Sequence, residues 1–550
     1  MKRKKFLAVL LAAGMLLSLS ACSGAPGSLN DTSAESGTGS AASTESSTGS
    51  AVSTENTFAG YPVDTDITLT MWNPQVASLH SSYTSYTESP FHTGLEEKTG
   101  IKVDWQFPVA GTDRTQAYNL MLASDTLPDI IVYTLFNDAQ QYIDDGIIRD
   151  LTDVMPEYSP DYWKVLQNNE RFDKSMKTDA GQYWGYGSFR ESAWAATYCG
   201  PVVRQDWLDE QNLEMPKTIS DWDNVIRTFN RAYEAKLAFA ITRTNPGFAS
   251  AFGAYTSFSA AKYVDDNGKV QYAIAQPEWK NYMTQLHSWY SDGMIDTDSV
   301  TLDDAGVRSK VLNNKVGVSI TAISQLTNWV NDAKAENTGA EWVGAPYVPQ
   351  TAGSPVNYIQ GEDMVSVYAA AITTSCPDEK LETAMRWLNY GYNEEGFMYW
   401  NYGTEGKTYT MVNGVPTYTD LLTKDPEGIN MALSKYVGTV GTGLAMQAEN
   451  MVRQKNAPAS VAAVDTWTGQ KNELFDHMYP AGVSLTTGES TEVSSLAAAI
   501  DTYASEMALK FFTGEESLNN FDQFVETLKG MNLERMLEIY QAAYDRFTAR

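Results

Sequence analysis

Several carboxylate pairs stand side by side along the chain, and two carboxylates are what acid–base hydrolysis of a glycoside needs. The pairs are Asp144-Asp145, Asp265-Asp266, Asp303-Asp304 and Glu394-Glu395. The two acids of a glycosidase must face each other across a sugar, a relation that adjacency along the chain does not produce. The sequence also lacks a Gly-x-Ser-x-Gly elbow, a His-Glu-x-x-His helix and a complete phosphate-binding Gly-x-x-x-x-Gly-Lys-Ser/Thr loop. We therefore predict that the chain is not an enzyme.

Metal-binding patterns are equally weak. The four histidines are isolated, and no Cys/His spacing indicates zinc. Asp265-Asp266-Asn267-Gly268 has the composition of a charged β-turn, because a calcium loop of the EF-hand type needs further ligands and a Glu. We expect neither a metal ion nor a cofactor.

Cys22 follows a basic segment and then an apolar one. Lys2 to Lys5 are basic, residues 6–17 are apolar, and Leu19-Ser20-Ala21 precede the cysteine. This order is typical of a secretory signal and is too short for a membrane-spanning helix. Leu-Ser-Ala-Cys also resembles the bacterial lipoprotein box, in which the signal is cut before a cysteine that is then lipidated. An ordinary signal peptide that happens to contain a cysteine is the alternative.

The segment after Cys22 is nearly all Ser, Thr, Gly, Ala, Glu and Asn. Such a composition buries almost nothing and forms a flexible tether. We therefore predict a signal peptide over residues 1–21, followed by a lipidated Cys22 and a disordered tether over 22–60. The mature protein is expected to be a soluble body anchored, through lipid alone, to the extracellular face of the cell membrane.

The composition limits the partners of that body. The chain has 39 Lys and Arg against 68 Asp and Glu, a net charge of −29. This acidity argues against nucleic acid and against direct contact with anionic lipid. Cys199 and Cys376 are too few for a disulfide scaffold, and the sequence leaves open whether they pair. With 14 Trp, 31 Tyr and 19 Phe, some aromatic residues are expected to line a binding surface.

Strand and helix patterns alternate at the start of the body. Strands are predicted over residues 66–72, 101–107 and 127–132, and helices over 91–98, 114–123 and 138–144. This alternation favours right-handed crossovers and a mostly parallel sheet. A further strand is predicted over 364–373, and core-facing helices over 378–392, 496–512, 521–528 and 533–547.

Motifs in this order resemble one known family. They are Trp72, then residues 95–103 (LEEKTGIKV), 123–130 (ASDTLPDI), 204–208 (RQDWL), 384–392 (AMRWLNYGY) and 394–396 (EEG). Together with the lipoprotein leader, they resemble the extracellular solute-binding lipoproteins of bacterial ABC importers, of the family 1, maltose-binding-like, carbohydrate type. The resemblance covers nearly the whole mature chain.

The resemblance implies an α/β protein with a two-lobed periplasmic-binding-protein-like fold of type II. Two mostly parallel-sheet lobes would be joined by hinge strands, with a helical C-terminal part. We predict lobe 1 over residues 61–193 plus 356–415, and lobe 2 over 194–355 plus 416–550. The chain is expected to cross between them near 187–198 and again near 346–361, where Pro346, Pro349 and Pro355 interrupt helical periodicity.

The resembled family binds sugars in the cleft, where aromatic rings stack on C–H faces and polar side chains bind hydroxyls. Trp72 and Asn73 follow the first strand, and ligands bind at the carboxyl ends of strands; a core position is the alternative for Trp72. Near the crossings, the predicted binding residues are Arg190, Glu191, Trp194, Glu362 and Asp363. In the family an aromatic residue from the region of Trp329 commonly stacks on sugar. Turn-rich stretches add Trp400, Tyr402 and Trp467.

The resulting hypothesis is a monomeric, lipid-anchored protein that captures an oligosaccharide and delivers it to the permease subunits of an ABC importer. Two alternatives stay open. The same fold could bind another solute such as a peptide, because a fold does not determine a ligand. A secreted carbohydrate-active enzyme is the second alternative.

Overall fold

Alternating apolar residues at the start of the body form the first strand, in which Leu69 and Met71 are completely buried. The computed structural model describes residues 60–74, 83, 85–108, 112–124, 126–241, 247–354, 356, 358–438, 444–470 and 476–550. Cys22, the predicted signal peptide, the tether up to residue 59 and Pro355 lie outside the described residues.

The strands belong to two large sheets and two hairpins. In chain order they are β1 (Thr68–Trp72), β2 (Lys102–Gln106), β3 (Ile130–Tyr133), β4 (Tyr186–Arg190), β5 (Thr197–Arg204), β6 (Lys236–Ala238), β7 (Lys262–Val264), β8 (Val270–Tyr272), β9 (Val316–Ala322), β10 (Trp342–Gly344), β11 (Gln360–Gly361), β12 (Val365–Ile372), β13 (Tyr409–Val412), β14 (Val415–Tyr418) and β15 (Met446–Gln447).

The first sheet has six strands in the order β15-β4-β12-β3-β1-β2. β1 lies parallel to β2 and to β3, with Met71 opposite Ile130. β12 returns from a distant part of the sequence and runs antiparallel between β3 and β4. The strands predicted at the start of the body and over residues 364–373 are therefore confirmed.

The second sheet has the order β10-β5-β9-β6, and β11 also pairs with β5. Only β6 and β9 are parallel, whereas β5 is antiparallel to β9, β10 and β11. The mostly parallel arrangement predicted for both lobes is therefore wrong for this sheet. The chain reaches β5 directly from the first sheet and returns to the first sheet after β11. No crossover within the second sheet therefore makes these strands parallel to their neighbours.

Helices cover both sheets and form most of the C-terminal part. In chain order they are α1 (Pro90–Thr99), α2 (Arg114–Leu122), α3 (Ala139–Asp144), α4 (Met155–Tyr158), α5 (Pro160–Gln167), α6 (Glu170–Ser175), α7 (Ala193–Ala196), α8 (Gln205–Glu210), α9 (Ile219–Tyr233), α10 (Pro277–Ser291), α11 (Asp304–Leu312), α12 (Ile323–Ala335), α13 (Asp378–Tyr390), α14 (Glu394–Tyr402), α15 (Asp420–Thr423), α16 (Ile429–Tyr436), α17 (Glu449–Lys455), α18 (Pro458–Thr468), α19 (Thr487–Thr513), α20 (Phe521–Gly530) and α21 (Leu533–Ala549). Short 3-10 turns cover Tyr86–Glu88, Ala249–Phe252, Ala273–Ala275, Thr297–Val300 and Leu518–Asn520.

The C-terminal helices face a core, as their apolar stripes predict. Phe511 and Phe512 of α19 and Leu528 of α20 are completely buried against the second sheet's hydrophobic core. Thr486 caps α19 in a capping box with Glu489, which satisfies two N-terminal N–H groups. Among the residues that the structure describes, no helix is long and apolar enough to cross a membrane.

The two described cysteines are buried in separate cores and form no disulfide with each other. Cys199 lies in the core beside the second sheet, and Cys376 lies in the core beside the first. Burial raises the pKa of the Cys376 thiol to about 12, which keeps it protonated and unreactive at neutral pH. The sequence left open whether Cys199 and Cys376 pair, and in the structure they do not bond to each other.

The sequence Asp265 to Gly268 forms the turn between β7 and β8. The Gly268 N–H donates to the Asp265 carbonyl oxygen at 2.9 Å, and Gly268 adopts a φ of 74°. One Asp265 carboxylate oxygen accepts from the backbone N–H groups of Asn267 and Lys269. The predicted β-turn is confirmed.

Gly200 on β5 allows α18 to pack directly on the second sheet. A methyl group at Gly200 would lie 2.3 Å from Cε2 of Trp467, whose indole N–H donates to the Ala345 carbonyl oxygen. We expect Gly200→Ala to lower the free energy of unfolding by about 1–3 kcal/mol through overpacking. Thermal and urea unfolding measure the change.

Gly488 in α19 provides the matched control, because a methyl group there meets no atom within 4 Å. Gly488→Ala should leave stability unchanged or raise it by up to about 1 kcal/mol. Equal stability of the two variants would show that Trp467 does not fill the space above Gly200.

Candidate functional site

Three segments of chain pass side by side between the two sheets; we call residues 190–197, 361–365 and 447–449 the junction. β4 ends at Arg190 and β5 begins at Thr197. The returning segment lies beside it, because β11 pairs with β5 and β12 pairs with β4. β15 adds to β4 in parallel, and α17 begins two residues later. The first predicted crossing contains the first segment, whereas the return lies just beyond residues 346–361.

Backbone hydrogen bonds hold the three segments together. The Arg190 N–H donates to the Met364 carbonyl oxygen, and the Glu362 N–H donates to the Ala196 carbonyl oxygen, both at 2.8 Å. Ser192 caps the short helix α7: its Oγ accepts from the Ala195 N–H. The same hydroxyl bonds the Glu449 carboxylate at 2.5 Å, which links the first segment to the third.

Arg190 binds the returning segment through both terminal nitrogens of its guanidinium group. Nη1 donates to the Asp363 carbonyl oxygen at 2.5 Å, and Nη2 forms an ion pair with the Glu362 carboxylate. Burial lowers the pKa of Arg190, and the charge of Asp363 opposes that shift. An arginine stays protonated at neutral pH, so the junction has a fixed positive charge at this point.

Asp363 accepts hydrogen bonds from three parts of the chain. Arg171 donates to both carboxylate oxygens at 2.8 Å. The backbone N–H groups of Ala481 and Val365 donate at 3.0 and 3.1 Å. Burial raises the pKa of Asp363, but the hydrogen bonds and charge of Arg171 outweigh burial and hold the pKa below its ordinary value.

Trp194 lies between a cation and a carboxylate. The Arg453 guanidinium stacks 3.8 Å from the centre of the indole ring, and the indole N–H donates to Asp465 at 2.7 Å. Arg453 also pairs with Glu449 at 2.7 Å and with Asp465 at 3.1 Å. Trp194 is 8% exposed, so only an edge of the ring reaches solvent.

Glu191 and Tyr402 both lie near the start of α17. Oε2 of Glu191 accepts from the Glu449 N–H at 2.7 Å, which satisfies an N-terminal donor of α17. Burial raises the pKa of Tyr402 to about 12, a hydrogen bond with Asn450 opposes the shift, and the charge of Glu191 adds to it. The structure thus brings together six of the predicted residues: Arg190, Glu191, Trp194, Glu362, Asp363 and Tyr402.

Trp72 and Asn73 lie at the carboxyl edge of the first sheet, away from the junction, and both are buried. Trp72 contacts Tyr118 and Tyr133 with ring centroids 5.7 and 6.0 Å apart. Tyr368 lies edge-on to Tyr133 on the same side. The edge therefore has a patch of aromatic rings in which Trp72 and Tyr118 are buried, whereas Tyr133 and Tyr368 are partly exposed.

Three predicted tryptophans lie in hydrophobic cores. Trp329 is 1% exposed and packs on Trp342, with ring centroids 5.0 Å apart. Trp400 packs on Phe91 at 5.0 Å, and Trp467 is completely buried against Gly200. The structure does not bring these rings to the junction, because each fills a space between a helix and its neighbours.

A tyrosine cluster beside the junction was missed by the sequence analysis. Tyr255 and Tyr263 stack with centroids 5.0 Å apart, and Tyr358 stands edge-on to both at 5.2 and 5.8 Å. Burial raises the pKa of Tyr255 to about 12, and the charge of Asp363 adds to the shift. Of the three tyrosines, only Tyr358 could have been suggested by the sequence, because it stands just before β11, the first strand of the returning segment.

The chemistry of this region is that of recognition. Carboxylates, guanidinium groups and phenol hydroxyls can bind hydroxyl groups, and the rings offer flat apolar faces. Within the described part of the chain, no group of three or more His, Cys, Asp or Glu side chains could hold a metal ion.

Comparison with known proteins agrees with this geometry. The model of the family "bacterial extracellular solute-binding protein" matches residues 77–396. Lipoprotein LipO of Bacillus subtilis (strain 168) is 22% identical over 448 residues, which are 76% of this chain and 86% of LipO. The fructooligosaccharide ABC transporter substrate-binding protein FusA of Streptococcus pneumoniae serotype 4 is 25% identical over 249 residues, 41% of this chain and 45% of FusA.

Solved structures confirm the fold. The crystal structure of alginate-binding protein AlgQ2 without calcium ion matches with a TM-score of 0.69 at 21% identity, covering 88% of this chain and 99% of AlgQ2. The predicted family and the predicted two-lobed α/β fold are both confirmed.

Asp363 should make stability depend on acid pH. Because its pKa is lowered in the folded state, the carboxylate stabilises the fold above the ordinary pKa of 3.8, and this contribution is lost as pH falls through the lower folded value. We expect Asp363→Asn to cost about 3–5 kcal/mol at pH 7, because Arg171 loses its buried partner. Urea unfolding at pH 7 and pH 3 should show the gap between variant and wild type narrowing in acid.

Asp378→Asn is the control, since Asp378 pairs with Arg149 but is 88% exposed. An exposed pair contributes about 0–1 kcal/mol. Similar losses in the two variants would contradict the central role of Asp363.

Proposed function

The chain belongs to the bacterial extracellular solute-binding proteins, and we propose that it is a lipid-anchored member that captures an oligosaccharide between two lobes. In this proposal it delivers the sugar to the permease subunits of an ABC importer at the extracellular face of the membrane. It acts as a monomer and performs no catalysis. In this proposal lobe 1 contains residues 61–193 plus 356–415 and lobe 2 contains 194–355 plus 416–550, except that β15 (Met446–Gln447) pairs with β4 and belongs with lobe 1.

The observation that carries the proposal is the junction, with an aromatic residue at each end of its returning segment. Arg190, Glu362 and Asp363 supply charged hydrogen-bonding groups at the base. Tyr358 of the tyrosine cluster precedes the returning segment, and Tyr368 of the aromatic patch of the first sheet follows it on β12. A sugar has apolar C–H faces and a rim of hydroxyls, so this combination suits a sugar better than a purely apolar solute.

The relatives support the same class of ligand. FusA is named for fructooligosaccharides and AlgQ2 for alginate, both carbohydrates. LipO is named as a lipoprotein, which supports the anchor proposed at Cys22. Carbohydrate capture by this chain follows from these relatives together with its own aromatic and charged groups.

Capture proceeds by closure of the lobes about the junction. Short connections between sheets can absorb the change in backbone angles that a hinge requires. The solute drives closure only by binding the closed form more tightly than the open form. Contacts from both aromatic groups at once are made only when the lobes approach each other.

Tyr358→Ala should separate binding from stability. Loss of a ring that contacts the sugar is expected to reduce affinity tenfold or more, about 1.4 kcal/mol or above. Calorimetry against an oligosaccharide panel, with product analysis on the same samples, measures both binding and turnover. Tyr544→Ala is the matched control: Tyr544 is also partly buried but packs on Tyr479 in the C-terminal helices.

Three outcomes are informative. Reduced affinity in Tyr358→Ala alone, without turnover, supports the proposal. Formation of hydrolysis products would identify an enzyme instead. Tight binding of peptides together with no binding of any oligosaccharide would show that the solute is a peptide and not a sugar.

Cys22→Ala should release the protein from the cell. Without the thiol no acyl chains can be attached, and several chains are needed for stable anchoring. Fractionation should find the variant in the medium and the wild type in the membrane fraction. A variant that stays with the membrane would place the anchor elsewhere.

A further inference from the structure

An open cavity of about 450 Å³ lies between elements that belong to the two sheets. The segment after β3 and the strand β12, both of the first sheet, line it with Thr134, Asn137 and Val367. Strand β7, whose partner β8 packs in the second sheet's core, and helix α21 line it with Lys262 and Tyr540. Its volume lies within the range of about 300–1,000 Å³ that is typical of small-molecule sites.

The cavity adjoins the groups already described at the junction. Ala481 lines the cavity, and its N–H donates to the Asp363 carboxylate at 3.0 Å. Lys262 directly precedes a member of the tyrosine cluster, and Val367 directly precedes Tyr368 of the aromatic patch. A solute bound at the junction can therefore extend into this cavity.

Lys262 is the one charged residue among the described residues that line the cavity. The chain contains 68 Asp and Glu residues, yet none of the described ones lines this space. At physiological salt the Debye length is about 8 Å, so carboxylates elsewhere on the surface are largely screened. An anionic group that enters the cavity therefore meets a cation and no carboxylate of the lining.

The amine of Lys262 has an aromatic neighbour but no carboxylate partner. Nζ lies 4.2 Å from the centre of the Tyr540 ring, and within the described part of the chain it forms no ion pair and no hydrogen bond. Burial lowers the pKa of Lys262 and the charge of Asp501 opposes that shift, but Asp501 bonds the Tyr272 hydroxyl at 2.7 Å. A partly buried ammonium group is stabilised by an anion that accepts its hydrogen bonds, and a solute can supply one.

Other lining residues suit the remainder of a sugar ring. Thr134 and Asn137 are exposed, and among the described residues their side chains have no hydrogen-bond partner. They are therefore available to bind hydroxyl groups. Val367 is 55% exposed although it is apolar, so it offers a contact to the C–H face of a sugar.

We propose that this cavity binds a carboxylate-bearing unit of the solute, and that the ammonium group of Lys262 recognises the carboxylate. This inference rests on the function proposed above and specifies its ligand as an acidic oligosaccharide. One lysine matches the single charge of a carboxylate, whereas a phosphate group carries up to about two charges. Thr134 and Asn137 bind hydroxyl groups of the same unit.

The test compares acidic and neutral forms of the same sugars. The probes are trigalacturonate, trimannuronate and triglucuronate, each paired with the neutral trisaccharide made by reducing its carboxylates to primary alcohols. Calorimetry gives the affinities of wild type, Lys262→Met and the control Lys280→Met. Lys280 is also a partly buried lysine over an aromatic ring, 5.3 Å from the centre of Phe521, but it lies on α10 and does not line the cavity.

Wild type should bind at least one acidic trisaccharide about tenfold or more tightly than its reduced counterpart, the effect of a charge-assisted hydrogen bond. Lys262→Met should remove this preference and leave the affinity for the neutral sugar unchanged. Its unbranched side chain can still pack on Tyr540, so the melting temperature should not fall. Lys280→Met should bind both sugars like wild type.

Asn137→Ala separates recognition of hydroxyl groups from recognition of the carboxylate. It should weaken the binding of the acidic and the neutral trisaccharide by the same factor, about twofold to tenfold, the effect of one neutral hydrogen bond. The preference for the acidic sugar should therefore persist in this variant.

Any of four results would overturn the inference. If neutral trisaccharides bind as tightly as acidic ones, the ligand is a neutral sugar and the proposed function stands. If Lys262→Met keeps the preference for the acidic sugar, the carboxylate binds elsewhere. Equal losses for both sugars in Lys262→Met would show that Lys262 binds a hydroxyl group. If no trisaccharide of either kind binds, the inference and the proposed function fail together.

Discussion

The carboxylate of Asp363 is the group on which the geometry of the site depends. It receives N–H donors from helix α6, from the start of β12 and from residue 481, which are three separate parts of the chain. A buried carboxylate is stable only when its oxygens are satisfied, so the three segments are held in one arrangement. Arg190 binds the backbone carbonyl of the same residue, so its position at the junction follows as well.

Much of the fold can be read from the sequence, because local periodicity decides it. The alternation that predicts β1 to β3 and the apolar stripes that predict α19 to α21 match the structure to within a few residues, apart from the nine residues by which α19 starts earlier. The direction of β5 could not be read in this way. It depends on the route of the chain between two sheets, and no property of residues 197–204 encodes that route.

The candidate site likewise has a part that the sequence could predict and a part that depends on the tertiary fold. Arg190, Glu191, Trp194, Glu362 and Asp363 were predictable because charged and aromatic residues stand together in short stretches next to a crossing. The tyrosines at 255, 263 and 358 come from separate segments, and only the tertiary fold brings them together. Trp329 and Trp467 were assigned to binding because a tryptophan suits a core and a sugar site equally. The contact of Trp467 with Gly200, which identifies the core position, is likewise long-range.

The three adjacent connections of the junction also determine how the molecule can deform. One connection would allow the lobes to bend and to rotate about the chain, whereas three adjacent ones resist torsion and leave a single bending axis across them. In the proposed closure, motion about one axis would narrow the opening opposite the junction and leave the two lateral ends open to water. A long solute chain would then be held at its middle with both ends outside the protein, so its length alone would not exclude it.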